Sequence, residues 1–279
     1  MMLQALPHDR HHLVDPLYAR ENPRFPLIHS VIRNEQAGTI FVADTFDGAA
    51  TPRSAFVVTN AGFALLLGAD GEDSSFDALL ADAFRSGMAG LPGYLLWYAP
   101  PARWRKRFAD CPPDTVWVRE RARLFLPLDA PLSAPRRSAL AEGLRVAAMN
   151  PDLMQAAEPL GLRLATKFWS SEEEFLAKAL GIAIVDKDDR PVSLCYAAAV
   201  CDGLAEIDIA TDPAYRGRGL AAEAAHAFAT ACRARGLTPA WDCFVANDAS
   251  LRLAQSLGFA EAGRYPLYSF NVPLALPPG

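Results

Sequence analysis

Residues 210–228 read ATDPAYRGRGLAAEAAHAF, with two glycines set between and beside two arginines where a strand-like run gives way to a helix. The first turn of such a helix has N–H groups that no carbonyl accepts, and it carries about half a unit of positive charge. Gly217 and Gly219 bare the backbone there, so an anion can approach closely, and Arg216 and Arg218 add formal charge. The combination suits a pyrophosphate. Just upstream, Glu206 and Asp208 alternate with Ile207 and Ile209, which places two carboxylates on one face of a strand.

The elements that hold these residues follow from spacing. Pro213 stops the strand AEIDIAT (205–211), and Leu220, Ala224, Phe228 and Cys232 recur every four residues along the next helix, predicted over about 217–235. Gly236 and Pro239 close it. PAWDCFVA (239–246) is a second strand, and a helix is expected over 249–257. Dinucleotide folds place G-x-G-x-x-G at such a turn, but here Ala222 stands three residues after Gly219 and no parallel β-α-β unit precedes. The Gly-Lys-Ser/Thr of a P-loop is also missing.

The same order of elements occurs twice. GTIFVADTF (38–46), RSAFVVTN (53–60) and FALLLGAD (63–70) read as strands, followed by a helix at 73–86, the strand YLLWYA (94–99) and a short helix over 101–109. GIAIVD (181–186), VSLCYAAAV (192–200) and AEIDIAT begin the second pass, 143 residues after the first if counted from Gly38 to Gly181. The βββαβα repeat predicts an α/β protein of two related units, 1–140 and 141–279, joined through the proline-rich PLDAPLSAPRRSA (127–139). The segment ALAEGLRVAAMNPDLMQAAEPL after it reads as helical pieces ended by Pro151 and Pro159, and FAEAGRYPLYSFNVPLA as short strands. In the first unit Glu72 and Asp73 stand where a pyrophosphate loop would be, so that unit is not expected to bind a diphosphate. It would instead pack against the second unit, complete one wall of that unit's site, or both.

Bulk properties narrow the choices. Of 279 residues, 51% are apolar and 21% charged, and no apolar run approaches the 18 or so needed for a membrane helix. No basic start leads into an apolar stretch, and the five cysteines form no CxxC, so a cytoplasmic protein with reduced thiols is expected. Residues 1–140 carry 15 basic and 15 acidic groups, whereas 141–279 carry 12 and 17. A mildly acidic second half suits a cationic small substrate better than nucleic acid. The one basic stretch, RWRKRF with VRERAR, reads as a solvated helix face and an edge strand. The histidines form no convincing metal set, so no metal is expected.

AYRGRGLA resembles the R/Q-x-x-G-x-G/A signature of the GCN5-related N-acetyltransferase (GNAT) superfamily, with Arg216, Gly219 and Ala221 on the signature positions. NDASLRLAQSLGF (247–259) resembles its second signature, an asparagine followed by a short helix ending in Gly-Phe. The run from AEIDIAT through LGF is similar to the branch that includes zwittermicin A resistance acetyltransferases. The resemblance covers 181–272 best and implies a tandem fold with a degenerate first unit and a second unit that binds acetyl-CoA.

It further implies that residues 217–221, including Leu220, hold the pyrophosphate. Ile209, Ala210 and Thr211 would pair with the pantetheine arm as an added strand would. Asn247 and Ser250 would contact the cofactor arm, or simply cap their helix. Glu206 is the first choice for the base that deprotonates the acceptor amine and Asp208 the second, the alternative being an acidic floor that orients a cation. The resemblance predicts a gap between the strand of Glu206 and PAWDCFVA. Relatives carry a tyrosine seven residues after the asparagine, where this chain has Ala254, so Tyr265 or Tyr268 would have to substitute. Cys243 invites a covalent intermediate with His226 as its base, but a buried structural thiol is the simpler reading. The implied activity is acetyl transfer to a primary amine of a small molecule, such as an aminopolyol or another amine antibiotic. A protein or peptide amine, or acyl-CoA binding without catalysis, are the alternatives. The sequence leaves the oligomeric state open.

Overall fold

The structure is a computed structural model and describes residues 2–68, 73–135, 140–158 and 167–277. Contacts divide the chain into two units, Met1–Glu120 with Tyr265–Gly279, and Arg121–Arg264. The described part of the proline-rich stretch, 127–135, groups with the second unit.

The first unit contains β1 (Leu3–Ala5), two short helices, α1 (Asp15–Glu21) and α2 (Pro26–Ile32), then β2 (Gly38–Ala43), β3 (Ala55–Thr59) and β4 (Phe63–Leu67). Helix α3 (Ser74–Ser86), β5 (Tyr94–Tyr98) and α4 (Ala102–Ala109) follow, and β6 (Val116–Phe125) leads out of the unit. The second unit has β7 (Arg145–Ala148), α5 (Pro151–Ala156), α6 (Glu172–Lys178), β8 (Gly181–Val185), β9 (Pro191–Cys201) and β10 (Leu204–Thr211). It continues with α7 (Leu220–Ala234), β11 (Thr238–Phe244) and α8 (Asp248–Ser256), and β12 (Ala260–Asn271) returns the chain to the first unit.

Both units share one strand pattern. In the first the order is β1-β2-β3-β4-β5, ended by Leu267–Asn271 of β12 beside β5. In the second it is β7-β8-β9-β10-β11, ended by Arg121–Phe125 of β6 beside β11. All pairs are antiparallel except β4–β5 and β10–β11, each joined through one helix, as a parallel connection requires. The repeat of three strands, helix, strand and helix stands where the sequence placed it. The flanking strands differ from expectation. Arg145–Ala148 lie in a strand rather than a helix, and Pro151 opens α5 instead of ending one, with Asn150 Oδ1 accepting from Leu153 N–H at 2.9 Å. Pro159 lies outside the described residues. The C-terminal strands are one continuous strand of 12 residues.

The basic stretch is only partly solvated. Arg103 and Trp104 of α4 turn inward to the buried Asp77, while Arg105 and Lys106 face water. Arg123, buried, and Arg121, half-buried, of β6 pair with Asp242 of β11, directly opposite Arg123 in the ladder. The second core forms where Leu220, Ala224, Phe228 and Cys232 of α7 pack on β8 to β11, the alanines of helix and strands letting the two layers approach closely. Among the described residues no helix is long and apolar enough to cross a membrane.

Candidate active site

Strand β10 is the spine of the site. On one side it pairs with β9 over its whole length, with a register shift between Glu206 and Ile207 that leaves Ala198 of β9 as a bulge. On the other side its parallel pairing with β11 stops at Glu206–Ala240, although β10 runs on to Thr211 and β11 to Phe244. The two strands thus part beyond Glu206, as the resemblance implied. Past this fork β10 has an edge with no strand beside it among the described residues.

Alternation sorts the side chains. Ala205, Ile207, Trp241 and Cys243 belong to the core beneath α7. Glu206 and Asp208 lie on the opposite face, which Ala240, Asp242 and Phe244 of β11 share by register. Glu206 is buried, with 6% of its surface exposed. Asp208 is more open and its carboxylate is crowded with donors. Oδ2 accepts from Tyr196 Oη and from Lys167 Nζ, both at 2.6 Å, and Oδ1 accepts from the Ile209 N–H at 3.0 Å. Burial, reinforced by that neighbouring carboxylate, pushes the Tyr196 phenol far up, so it stays an O–H donor. Neither Tyr196 nor Lys167 was read from the sequence. The tyrosine is hidden within an apolar strand, and the lysine belongs to no motif.

Beyond Thr211 the chain turns through Pro213–Tyr215, a single 3-10 turn whose start is fixed by Asp212 Oδ1 accepting from the Ala214 N–H at 2.9 Å. That bond, helped by Arg190 at 2.6 Å, holds the Asp212 carboxyl below its usual range. Gly217 and Gly219 take φ of 75° and 85°, the left-handed region that other residues enter at a cost. A Cβ at either glycine would meet nothing within 4 Å. Gly219 caps α7 without any side-chain acceptor, and among the described residues nothing accepts from the N–H groups of 217–221. The arginines flank this cradle. Arg216 Nε donates to Thr211 O at 3.3 Å, and Arg218 donates to Ala214 O at 3.1 Å with its guanidinium over the Tyr215 ring.

The downstream residues have structural partners of their own. Asn247 caps α8, its Oδ1 accepting from Ser250 N–H at 3.2 Å, and Ser250 Oγ accepts from Trp241 Nε1 at 3.0 Å. Burial pushes the Cys243 thiol up, and no hydrogen bond joins it to His226 among the described residues. Ala254 is fully buried in the core beneath α7. Tyr265 packs edge-on against Phe25 and Tyr98, and Tyr268 stacks on Phe108, so both serve the first unit's packing.

Residues 20–268 match the sequence profile of the family described as GNAT acetyltransferase, which is most of the chain. The chain belongs to the GNAT acetyltransferase family. A Bacillus subtilis (strain 168) protein, named as the uncharacterized N-acetyltransferase YdfB, is 26% identical over 242 residues, covering 86% of this chain and 88% of that one. Two solved structures share the fold. One is a GCN5-related N-acetyltransferase-like protein from Streptococcus suis 89/1591, with TM-score 0.71 and 22% identity over 94% of this chain and 99% of the other. The second is a tandem GNAT protein from the clavulanic acid biosynthesis pathway, with TM-score 0.65 and 13% identity over 96% and 98%. This protein is therefore a GNAT N-acetyltransferase, of a family that uses acetyl-CoA as donor.

The residues present fit that donor. Unclaimed amides at a helix start, two glycines in the conformation that aims them outward, and two exposed arginines match a diphosphate in charge and reach. The corresponding helix start in the first unit is already filled. Asp73 Oδ1 accepts from Phe76 N–H at 3.1 Å, with Ser54 Oγ on its other oxygen. Glu72 lies outside the described residues. No group of three metal-ligating side chains occurs among the described residues.

Proposed function

We propose that this GNAT enzyme transfers an acetyl group from acetyl-CoA directly to a primary amine of a small molecule, an aminopolyol or another amine antibiotic, in the cytoplasm. The observation that carries the reading is the unfilled amide cradle of residues 217–221, next to an unpaired edge of β10. The amides of 217–221 would take the diphosphate, with Arg216 and Arg218 swinging over it. Ile209, Ala210 and Thr211 would hold the pantetheine arm through main-chain hydrogen bonds along that edge. Asn247 and Ser250 would meet the arm from the start of α8.

Bound acetyl-CoA supplies an acetyl group on a thioester whose leaving thiol resembles that of cysteine, with an ordinary pKa of about 8.5. The acceptor is an ammonium at neutral pH, since alkylamines titrate near lysine's value of about 10.4. It must lose a proton before its nitrogen can attack. Glu206 is the base in this reading, a buried carboxylate on β10 at the point where β10 and β11 part, with Asp208 the second choice. Cys243 takes no part, its thiol held protonated by burial.

The tandem reading belongs to the same proposal, with 1–140 a degenerate GNAT-like half and 141–279 the half that binds acetyl-CoA. The shared strand order and the self-capped start of α3 support it. The small-molecule acceptor is supported by the resemblance to the zwittermicin A resistance branch and by the acidic second half. Screening amine libraries for acetyl-CoA consumption, with product mass as readout, identifies the acceptor. Glu206→Gln is then expected to lower turnover at pH 7 by about 100-fold with acetyl-CoA affinity unchanged. Turnover within twofold of the native enzyme removes Glu206 as base.

A further inference from the structure

We propose that the Asp208 carboxylate, backed by Tyr196, is a subsite for a second, non-reacting ammonium group of the acceptor, and that Lys167 fills it until the acceptor arrives. Which amine reacts rests on the transfer reading above, whereas the subsite stands on the geometry around Asp208. An ammonium already sits there. Lys167 Nζ lies 2.6 Å from Asp208 Oδ2, and the Tyr196 hydroxyl donates to the same oxygen at 2.6 Å.

The three members differ in how firmly they are held. Tyr196 is fully buried in β9, so its hydroxyl is a fixed wall. Asp208 is anchored on β10, with a quarter of its side chain exposed. Lys167 is 44% exposed on a flexible stem, its Nζ also lying 4.8 Å over the Phe168 ring. An ion pair with so exposed a partner is weak and readily exchanged. The outgoing lysine regains water, and the incoming ammonium takes the same oxygen.

The site also selects among cations. A guanidinium binds a carboxylate best through both oxygens at once, in a planar fork. Asp208 Oδ1 is occupied by the Ile209 N–H, and Oδ2 has Tyr196 on one side. A compact ammonium needs only the position on Oδ2 that Lys167 Nζ already takes, whereas a fork needs a further position on each of two oxygens that already accept one bond. Position fixes the second amine. Glu206 and Asp208 are two residues apart on one strand face, so their Cα atoms are about 7 Å apart at the usual rise. An acceptor with two amines a short carbon chain apart can set one at each carboxylate.

The test is calorimetric binding of 1,4-diaminobutane, with butan-1-ol as neutral control, to the full chain without acetyl-CoA. Lys167→Ala and Lys167→Met are expected to bind the diamine about tenfold more tightly than the native protein, and butan-1-ol in neither case. Lys167→Met/Asp208→Asn is expected to show no gain over Asp208→Asn alone. The lysine variants remove only an exposed side chain, so they decide the matter even if the Asp208 variants do not fold. Diamine affinity within twofold of native in both lysine variants overturns the proposal, as does a gain that survives Asp208→Asn. A separate titration with acetyl-CoA shows whether the transfer reading stands when the subsite fails, or fails when the subsite stands.

Discussion

Gly219→Ala and Gly219→Asn together separate backbone strain from obstruction of the cradle. Gly219 has φ of 85°, and a Cβ there would meet no atom within 4 Å, so the alanine does not clash with the folded protein and the asparagine starts into open space. What remains is conformational cost. An L-residue in the left-handed region costs about 1–2 kcal/mol, and asparagine less than alanine. A protein of this size loses about 2–4 °C in Tm per kcal/mol, so the alanine variant should melt about 5 °C lower and the asparagine variant less. That strain exists in the free and the liganded protein alike and leaves affinity unchanged. Occlusion acts on the complex only. If a phosphate must lie against the bare backbone, either side chain should weaken acetyl-CoA binding by at least about tenfold, roughly 1.4 kcal/mol, with asparagine no better than alanine. Thermal unfolding and calorimetry on the same samples measure both quantities. Acetyl-CoA affinity within twofold of native in both variants would refute the reasoning.

Cys243→Ala is expected to retain at least about half of the native turnover, because burial holds the thiol protonated and no hydrogen bond joins it to His226 among the described residues. A loss of 100-fold in steady-state assays would point to a covalent intermediate instead. Asp242→Asn is expected to destabilise the protein by about 3–5 kcal/mol in denaturant unfolding, since the 3%-exposed carboxylate pairs with the half-buried Arg121 and the buried Arg123. Replacing all three by apolar residues should cost much less. A loss below about 1 kcal/mol for the single variant would show that the arginines find other compensation.

The legible parts of the fold were those with strong patterns. The stripe on α7 and the apolar runs of β2 to β4 and β8 to β10 are read from a few residues each, because a buried face leaves a periodic trace. Strand β7 left none: it is a four-residue edge strand with mostly exposed side chains, so the local sequence reads equally well as helix. Nor could spacing foretell that Arg121–Phe125 of β6 ends the second unit's strand order and Leu267–Asn271 of β12 the first's, a matter of pairing between residues more than 100 positions apart. The turn before α7 was legible because two glycines ahead of a periodic helix mark backbone in the left-handed region. The Tyr196–Asp208–Lys167 set was not, since its members come from three separate segments and only the fold brings them together. Asp242 was overlooked for a similar reason: its two arginines lie in a stretch that looks solvated until β6 is laid beside β11.

Amide hydrogen exchange of the full chain, resolved by residue and measured with and without CoA, tests the cradle most directly. The N–H groups of residues 217–221 have no acceptor among the described residues, so they should exchange fast and slow by at least about tenfold when the diphosphate accepts from them. Slowing confined to another segment, or none at saturating CoA, would contradict the assignment of this loop as the donor's grip.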